Sequence, residues 1–190
     1  MLLWREPVPK TWITQTLARL PAVLVDHAHL ERRAATSALN LEKYHLLHGN
    51  VEELNAIAIE ELQHFQLVLD FLKKRGVPFG QARHSPWISG LMRAVRTGQK
   101  HQVIDHLISA ALIEGRSCEK FQLLASGLAN ADPELASFYG SLVESEGNHY
   151  ATYLLMARAI DKTEADQRLD TYLDIEAQLQ RAWTSRPMLH

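Results

Sequence analysis

Apolar residues recur along this chain at spacings of three and four over long stretches, and strict apolar–polar alternation bounded by turn residues is nearly absent. The pattern predicts an all-α protein. A short first segment begins near Pro9 with Thr11-Trp12-Ile13, and Pro21 then opens a long helix that runs to Leu47 and stops at Gly49-Asn50. A second long helix spans Val51 to Arg75. Glu52-Glu53 lie near its start, Lys73-Lys74-Arg75 fill its last turn and Gly76 follows, the polarity that the helix dipole favours. Residues 77–98 carry Pro78, Gly80, Pro86, Gly90 and Gly98, which predicts a long connection with a short helix around Ile88 to Arg96. A third long helix covers Lys100 to Leu128. The fourth starts after Ala131-Asp132, with Pro133 at its first position, and continues to Ile160. A last helix, Glu164 to Trp183, leads into a short tail.

At 190 residues and 46% hydrophobic content, the chain is expected to fold as one domain, residues 1–190, with a core of its own. No stretch of about 18 uninterrupted apolar residues appears, and the segment Met1-Leu2-Leu3-Trp4-Arg5-Glu6-Pro7 lacks the regions of a signal peptide. The expectation is a soluble, cytoplasmic protein with no membrane partner. A single cysteine, Cys118, excludes an internal disulfide framework and a four-cysteine iron site. Any iron must therefore take oxygen and nitrogen ligands. The formal charge of -2 gives no global attraction to a polyanion, so a nucleic acid would have to be held by a local basic patch.

Candidate chemistry concentrates in two Glu-x-x-His tetrads, Glu61-Leu62-Gln63-His64 and Glu146-Gly147-Asn148-His149. Positions i and i+3 share one helical face, so each tetrad aims a carboxylate and an imidazole into the same volume. A lone glutamate in an apolar stretch precedes each tetrad, Glu31 and Glu114. All four glutamates fall near the middle of the four long helices, where an antiparallel bundle brings its members level. Their neighbours are apolar: Ile57, Ala58 and Phe65 around Glu61, Ala110 and Ala111 before Glu114, Leu142 and Val143 before Glu146. Four carboxylates gathered in a core are prohibitively costly unless cations neutralise them.

Glu, Glu-x-x-His, Glu, Glu-x-x-His on four helices is the ligand order of ferritin-like di-iron and di-manganese carboxylate proteins, whose bundle has a long connection between its second and third helices. The fold class expected is therefore an all-α, ferritin-like four-helix bundle with a long crossover and additional terminal helices. Four carboxylates and two imidazoles form a hard site that balances two divalent ions, and two iron ions (Fe2+/Fe3+) are the expected cofactor, with dioxygen as co-substrate. By analogy, Glu61 and Glu146 bridge, Glu31 with His64 holds one ion and Glu114 with His149 the other. Small residues, Ala28, Ala34, Ala35, Ala110, Ala111 and Ser117, either leave room for a substrate tail or simply allow close helix packing. His27, one turn before Glu31, reads more readily as a core or surface histidine than as a donor to that ligand. Glu42, Glu52, Glu53, Glu60, Glu119 and Glu144 read as solvated faces, as do His45, His48, His101 and His106, and Tyr139, Tyr150 and Tyr153 as packing.

The segments Asp26-His27-Ala28-His29-Leu30-Glu31, Glu61-Leu62-Gln63-His64-Phe65, Glu114-Gly115-Arg116-Ser117-Cys118-Glu119-Lys120-Phe121 and Ser145-Glu146-Gly147-Asn148-His149-Tyr150 resemble the MiaE family of tRNA hydroxylases. The stretch Arg116 to Phe121 is the specific part, since many ferritin-like enzymes share the ligands alone. The resemblance implies oxygen-dependent hydroxylation of the isopentenyl group of 2-methylthio-N6-isopentenyladenosine at position 37 of tRNA, with the same six metal ligands. Gly115 and Gly147-Asn148 depart from the family's residues and bear on the pocket rather than on the ligands.

A tRNA substrate requires phosphate contacts, and Lys73, Lys74, Arg75, Arg83, Arg93, Arg96 and Lys100 cluster in sequence at the end of the second long helix and along the connection after it. Arg32 and Arg33 add to this set, and Trp87 is a candidate surface for stacking the base. The Lys73 group equally suits dipole compensation at a helix end. No flavin or nicotinamide fingerprint is present, so a separate electron donor, a reductase or ferredoxin-like protein, is implied. The oligomeric state is open, with a monomer favoured. Two rival functions share the ligand pattern: a ferroxidase or iron-storage protein, which would assemble into a cage, and a quinone-ring hydroxylase, which would need a membrane-lying apolar face.

Overall fold

Prolines, glycines and short polar caps divide the described residues of the computed structural model, 4–182 and 188–190, into seven α-helices with no strand among them. They are α1 (Lys10–Leu17), α2 (Leu20–Leu41), α3 (Val51–Lys74), α4 (Pro86–Arg93), α5 (Gln99–Leu128), α6 (Pro133–Ile160) and α7 (Lys162–Arg181). Three N-termini carry the caps their sequence announces. The side chains of Ser85, Asp132 and Asp161 accept from the amides of Ile88, Leu135 and Glu164 at 3.1, 3.1 and 3.0 Å. Pro86 and Pro133 sit in the first turn, where no amide is needed. At the end of α3, Gly76 takes φ 63° and the chain closes with Val77 N donating to Leu72 O at 2.9 Å.

One boundary departs from expectation. The first long helix ends at Leu41, not Leu47, because Tyr44 turns extended and a 3-10 turn, His45–Asn50, carries the chain into α3. Leu47 is thereby folded back out of water. No glycine or proline marks this break, so periodicity alone runs through it. The short helix of the connection lies two to three residues earlier than expected, and the expected end of the last helix at Trp183 lies outside the described residues.

The chain forms two compact units, Arg19–His84 with Leu189, and Met1–Ala18 with Ser85–Met188 and His190. The first is the hairpin of α2 and α3. Val23, Leu24, Ala28, Ala35 and Ala38 of α2 and Leu54, Ile57, Ala58, Val68 and Leu72 of α3 are buried, the alanines allowing close approach. The second unit is built on α5 and α6, with α1, α4 and α7 packed around them. Gly90 of α4 lies against Leu179 of α7, and Gly127 of α5 against Ile13 of α1.

Buried ion clusters fasten this second unit. Arg116, fully buried on α5, donates twice to Glu176 of α7 at 2.8 Å, also donates to Glu119, and lies with its guanidinium 3.9 Å from the Trp4 ring centroid. Glu119 is therefore a partner of Arg116, not the solvated residue expected. Asp105, equally buried, accepts from Arg96 at 2.8 Å and from Arg168 at 2.9 Å. No helix of the described residues is long and apolar enough to cross a membrane.

Candidate metal centre

Each unit builds a three-residue group of potential metal ligands. In the first, Glu31 of α2 and Glu61 and His64 of α3 each present an atom within 4.8 Å of the others. In the second, Glu114 of α5 and Glu146 and His149 of α6 do the same. The i, i+3 spacing of each tetrad puts its glutamate and histidine one above the other, and the hairpin partner supplies the third residue from its own midpoint. All six are buried.

His64 Nδ1 lies 3.6 Å from Glu31 and 3.9 Å from Glu61. Burial opposes charging this ring, but the two carboxylates outweigh it and raise its pKa to about 10. Burial likewise opposes charge on Glu31, yet His27 and His64 hold its carboxyl well below the usual range. On His64 a proton thus stands where positive charge is required. His27 is fully buried, and its ring hydrogen-bonds the Glu31 carboxylate. Of the two sequence readings of His27, the less favoured one, a donor to Glu31, is the contact that forms, and its i, i+4 spacing is the signal for it.

Ala28, Ala35, Ala110 and Ala111 are buried, and Ser117, one turn beyond Glu114, has its Oγ 2.8 Å from His190 Nε2. Sequence reasoning missed His190, which is also stacked on Trp87 at 5.2 Å between centroids. Trp87 is not the exposed stacking surface expected. It is 3% exposed, and its indole N–H donates to Glu176 at 3.1 Å. Tyr139 and Tyr153 are buried and Tyr150 half-buried.

The seven basic residues divide between the units. Lys73, Lys74 and Arg83 are exposed, and Arg75 folds over the Phe71 ring at 4.9 Å. Arg93 is exposed at the end of α4. Arg96 is spent on Asp105 and, at 2.6 Å, on Glu164, and Lys100 pairs with Asp161 at 2.5 Å.

An all-helical chain with two such carboxylate–imidazole groups defines a ferritin-like protein, and a solved structure bears this out. "Protein 43 with aldehyde deformylating oxygenase activity from Synechococcus" matches with a TM-score of 0.92 and 30% identity, over 100% of this chain and 96% of its own. The chain belongs to the MiaE family, tRNA-(MS[2]IO[6]A)-hydroxylase, whose model matches residues 2–190. It is 40% identical to the tRNA 2-(methylsulfanyl)-N(6)-isopentenyladenosine(37) hydroxylase of Pseudomonas putida, over 80% of this chain and 73% of that protein. The protein of the same name from Salmonella typhimurium is 29% identical, over 91% of this chain and 82% of its own.

Proposed function

We propose that this protein is an oxygen-dependent di-iron monooxygenase that hydroxylates the isopentenyl group of 2-methylthio-N6-isopentenyladenosine at position 37 of tRNA, acting in the cytoplasm as one domain over residues 1–190. The observation that carries the proposal is the pair of buried Glu, Glu, His groups, each assembled by one helical hairpin, in a chain of this family. Glu31 and His64 hold one iron ion, Glu114 and His149 a second, and Glu61 and Glu146 complete the ligand set.

The residues fit such a group on chemical grounds. Buried carboxylates without compensation cost several kcal/mol each, and in the metal-free chain a proton on His64 meets part of that need. Metal binding requires a neutral imidazole, so His64 releases this proton as the site fills. Two irons, when bound, supply the electrons that activate dioxygen for insertion into an unactivated C–H bond. The chain's own part is to hold the six ligand side chains, all of them buried, at the midpoints of their helices. Electrons come from a separate protein donor, and the protein acts as a monomer.

Nucleoside mass spectrometry tests the reading. Prenylated tRNA incubated with the ferrous protein, a reductant and oxygen is expected to gain one oxygen on the prenylated adenosine, with Glu146→Ala inactive. An unchanged nucleoside, with iron bound and oxygen still consumed, would move the search to quinones or to iron oxidation itself.

A further inference from the structure

Among the exposed large hydrophobic residues described, Phe79 is the one aromatic, with 41% of its surface open to solvent. It stands in the connection after α3, and three side chains of the same unit fix it. The His29 ring stacks on it at 4.3 Å between centroids with 29° between planes. Phe65 meets it edge-on at 5.7 Å, and the Arg32 guanidinium lies 5.9 Å from its centroid. His29 is itself only 4% exposed and donates from Nε2 to the carbonyl of Gly80 at 2.8 Å, while Arg32 reaches His29 Nδ1 at 3.3 Å. The backbone directly after the ring is therefore pinned to α2, two residues before Glu31.

A ring exposed yet held at a set angle, with a guanidinium at its side, has the form of a surface for a nucleobase. Aromatic faces stack any base, and arginine adds cation–π attraction and a phosphate contact. The surroundings in this unit suit RNA: Arg33 and Arg83 are exposed, as are Lys73 and Lys74 at the end of α3. An apolar plug would need none of this and would serve equally well as leucine.

We propose that Phe79, braced by His29 and flanked by Arg32, is a stacking platform for an unpaired nucleotide of the substrate RNA. The inference rests on the reading of the protein as a tRNA hydroxylase and assigns the base-stacking role to Phe79 instead of Trp87. The test compares wild type with Phe79→Leu, Phe79→Trp and Arg32→Gln. Binding of an unmodified anticodon stem-loop is followed by fluorescence anisotropy over a range of salt, and hydroxylation of prenylated tRNA and iron content are followed in parallel. Phe79→Leu is expected to raise Kd and KM by roughly five- to a hundred-fold at unchanged salt dependence, iron content and kcat. Phe79→Trp should retain wild-type binding, and Arg32→Gln should reduce the salt slope by about one. Phe79→Leu binding within about two-fold of wild type, with iron intact, would overturn the platform. Failure of the hydroxylase reading has its own signature: wild-type protein adds no oxygen to tRNA, whatever Phe79→Leu does to RNA affinity.

Discussion

His27 lies one helical turn before Glu31 on α2, and its ring hydrogen-bonds the Glu31 carboxylate with both side chains out of water. A carboxylate held this way keeps one rotamer and loses no water when a cation arrives. His27→Ala is expected to weaken iron binding by roughly 10- to 100-fold while leaving the helical circular dichroism unchanged. His27→Gln, which still reaches the carboxylate, should recover part of the loss in a competitive chelator titration.

Asp105 joins the start of α5 to Arg96 and to Arg168 of α7. Burial would raise its carboxyl pKa from the ordinary 3.8, but the two guanidinium groups and the Arg96 amide lower it. A folded-state pKa below the unfolded one makes the stabilisation complete above about pH 4 and removes it as pH falls further toward the folded value. Urea unfolding should therefore show Asp105→Asn less stable by about 1.5–3 kcal/mol at pH 7, with the gap from wild type closing below pH 4.

Glu176 is fully buried and accepts from Arg116 on both oxygens as well as from Trp87. Glu176→Ala leaves the guanidinium facing a low-dielectric interior with Glu119 as its remaining carboxylate. The expected cost is about 3–5 kcal/mol, read as a lower urea midpoint. Replacing Arg116 and Glu176 together by apolar residues of similar volume should cost less than Glu176→Ala alone.

Two glycines should respond in opposite senses. A Cβ on Gly90 would come within 2.4 Å of Leu179, so Gly90→Ala must push α4 from α7 or force a new leucine rotamer. A loss of about 1–3 kcal/mol is expected. Gly147, between the ligands of α6, has nothing within 4 Å of that position. Gly147→Ala should raise the thermal midpoint through helix propensity worth about 1 kcal/mol.

Most helix limits were legible because they are written locally. Ser85-Pro86, Asp132-Pro133 and Lys73-Lys74-Arg75-Gly76 each announce an end within four residues. The end of α2 was not, since the turn at Tyr44 serves the burial of Leu47 and carries no punctuation of its own. The same distinction governs the site. Glu61 with His64 and Glu146 with His149 are related by helical spacing, which sequence displays. For Glu119 the i, i+3 spacing to Arg116 was there to be read, but Trp87 was misjudged because its partner is remote: Glu176 lies 89 residues away. Exposure decided by such partners has no local signature.

The discontinuity of the second unit bears on the order in which the chain acquires structure. The α2–α3 hairpin is contiguous, so its pairing needs nothing made later. Arg5, by contrast, finds Asp170 and Asp174 165 and 169 positions downstream, and the Trp12 indole finds the carbonyl of Met188. On a ribosome the opening segment thus reaches its full set of partners only after α7 has been synthesised, and nascent chains halted before α7 should leave residues 4–18 more open to protease than in the full chain while the hairpin is already closed.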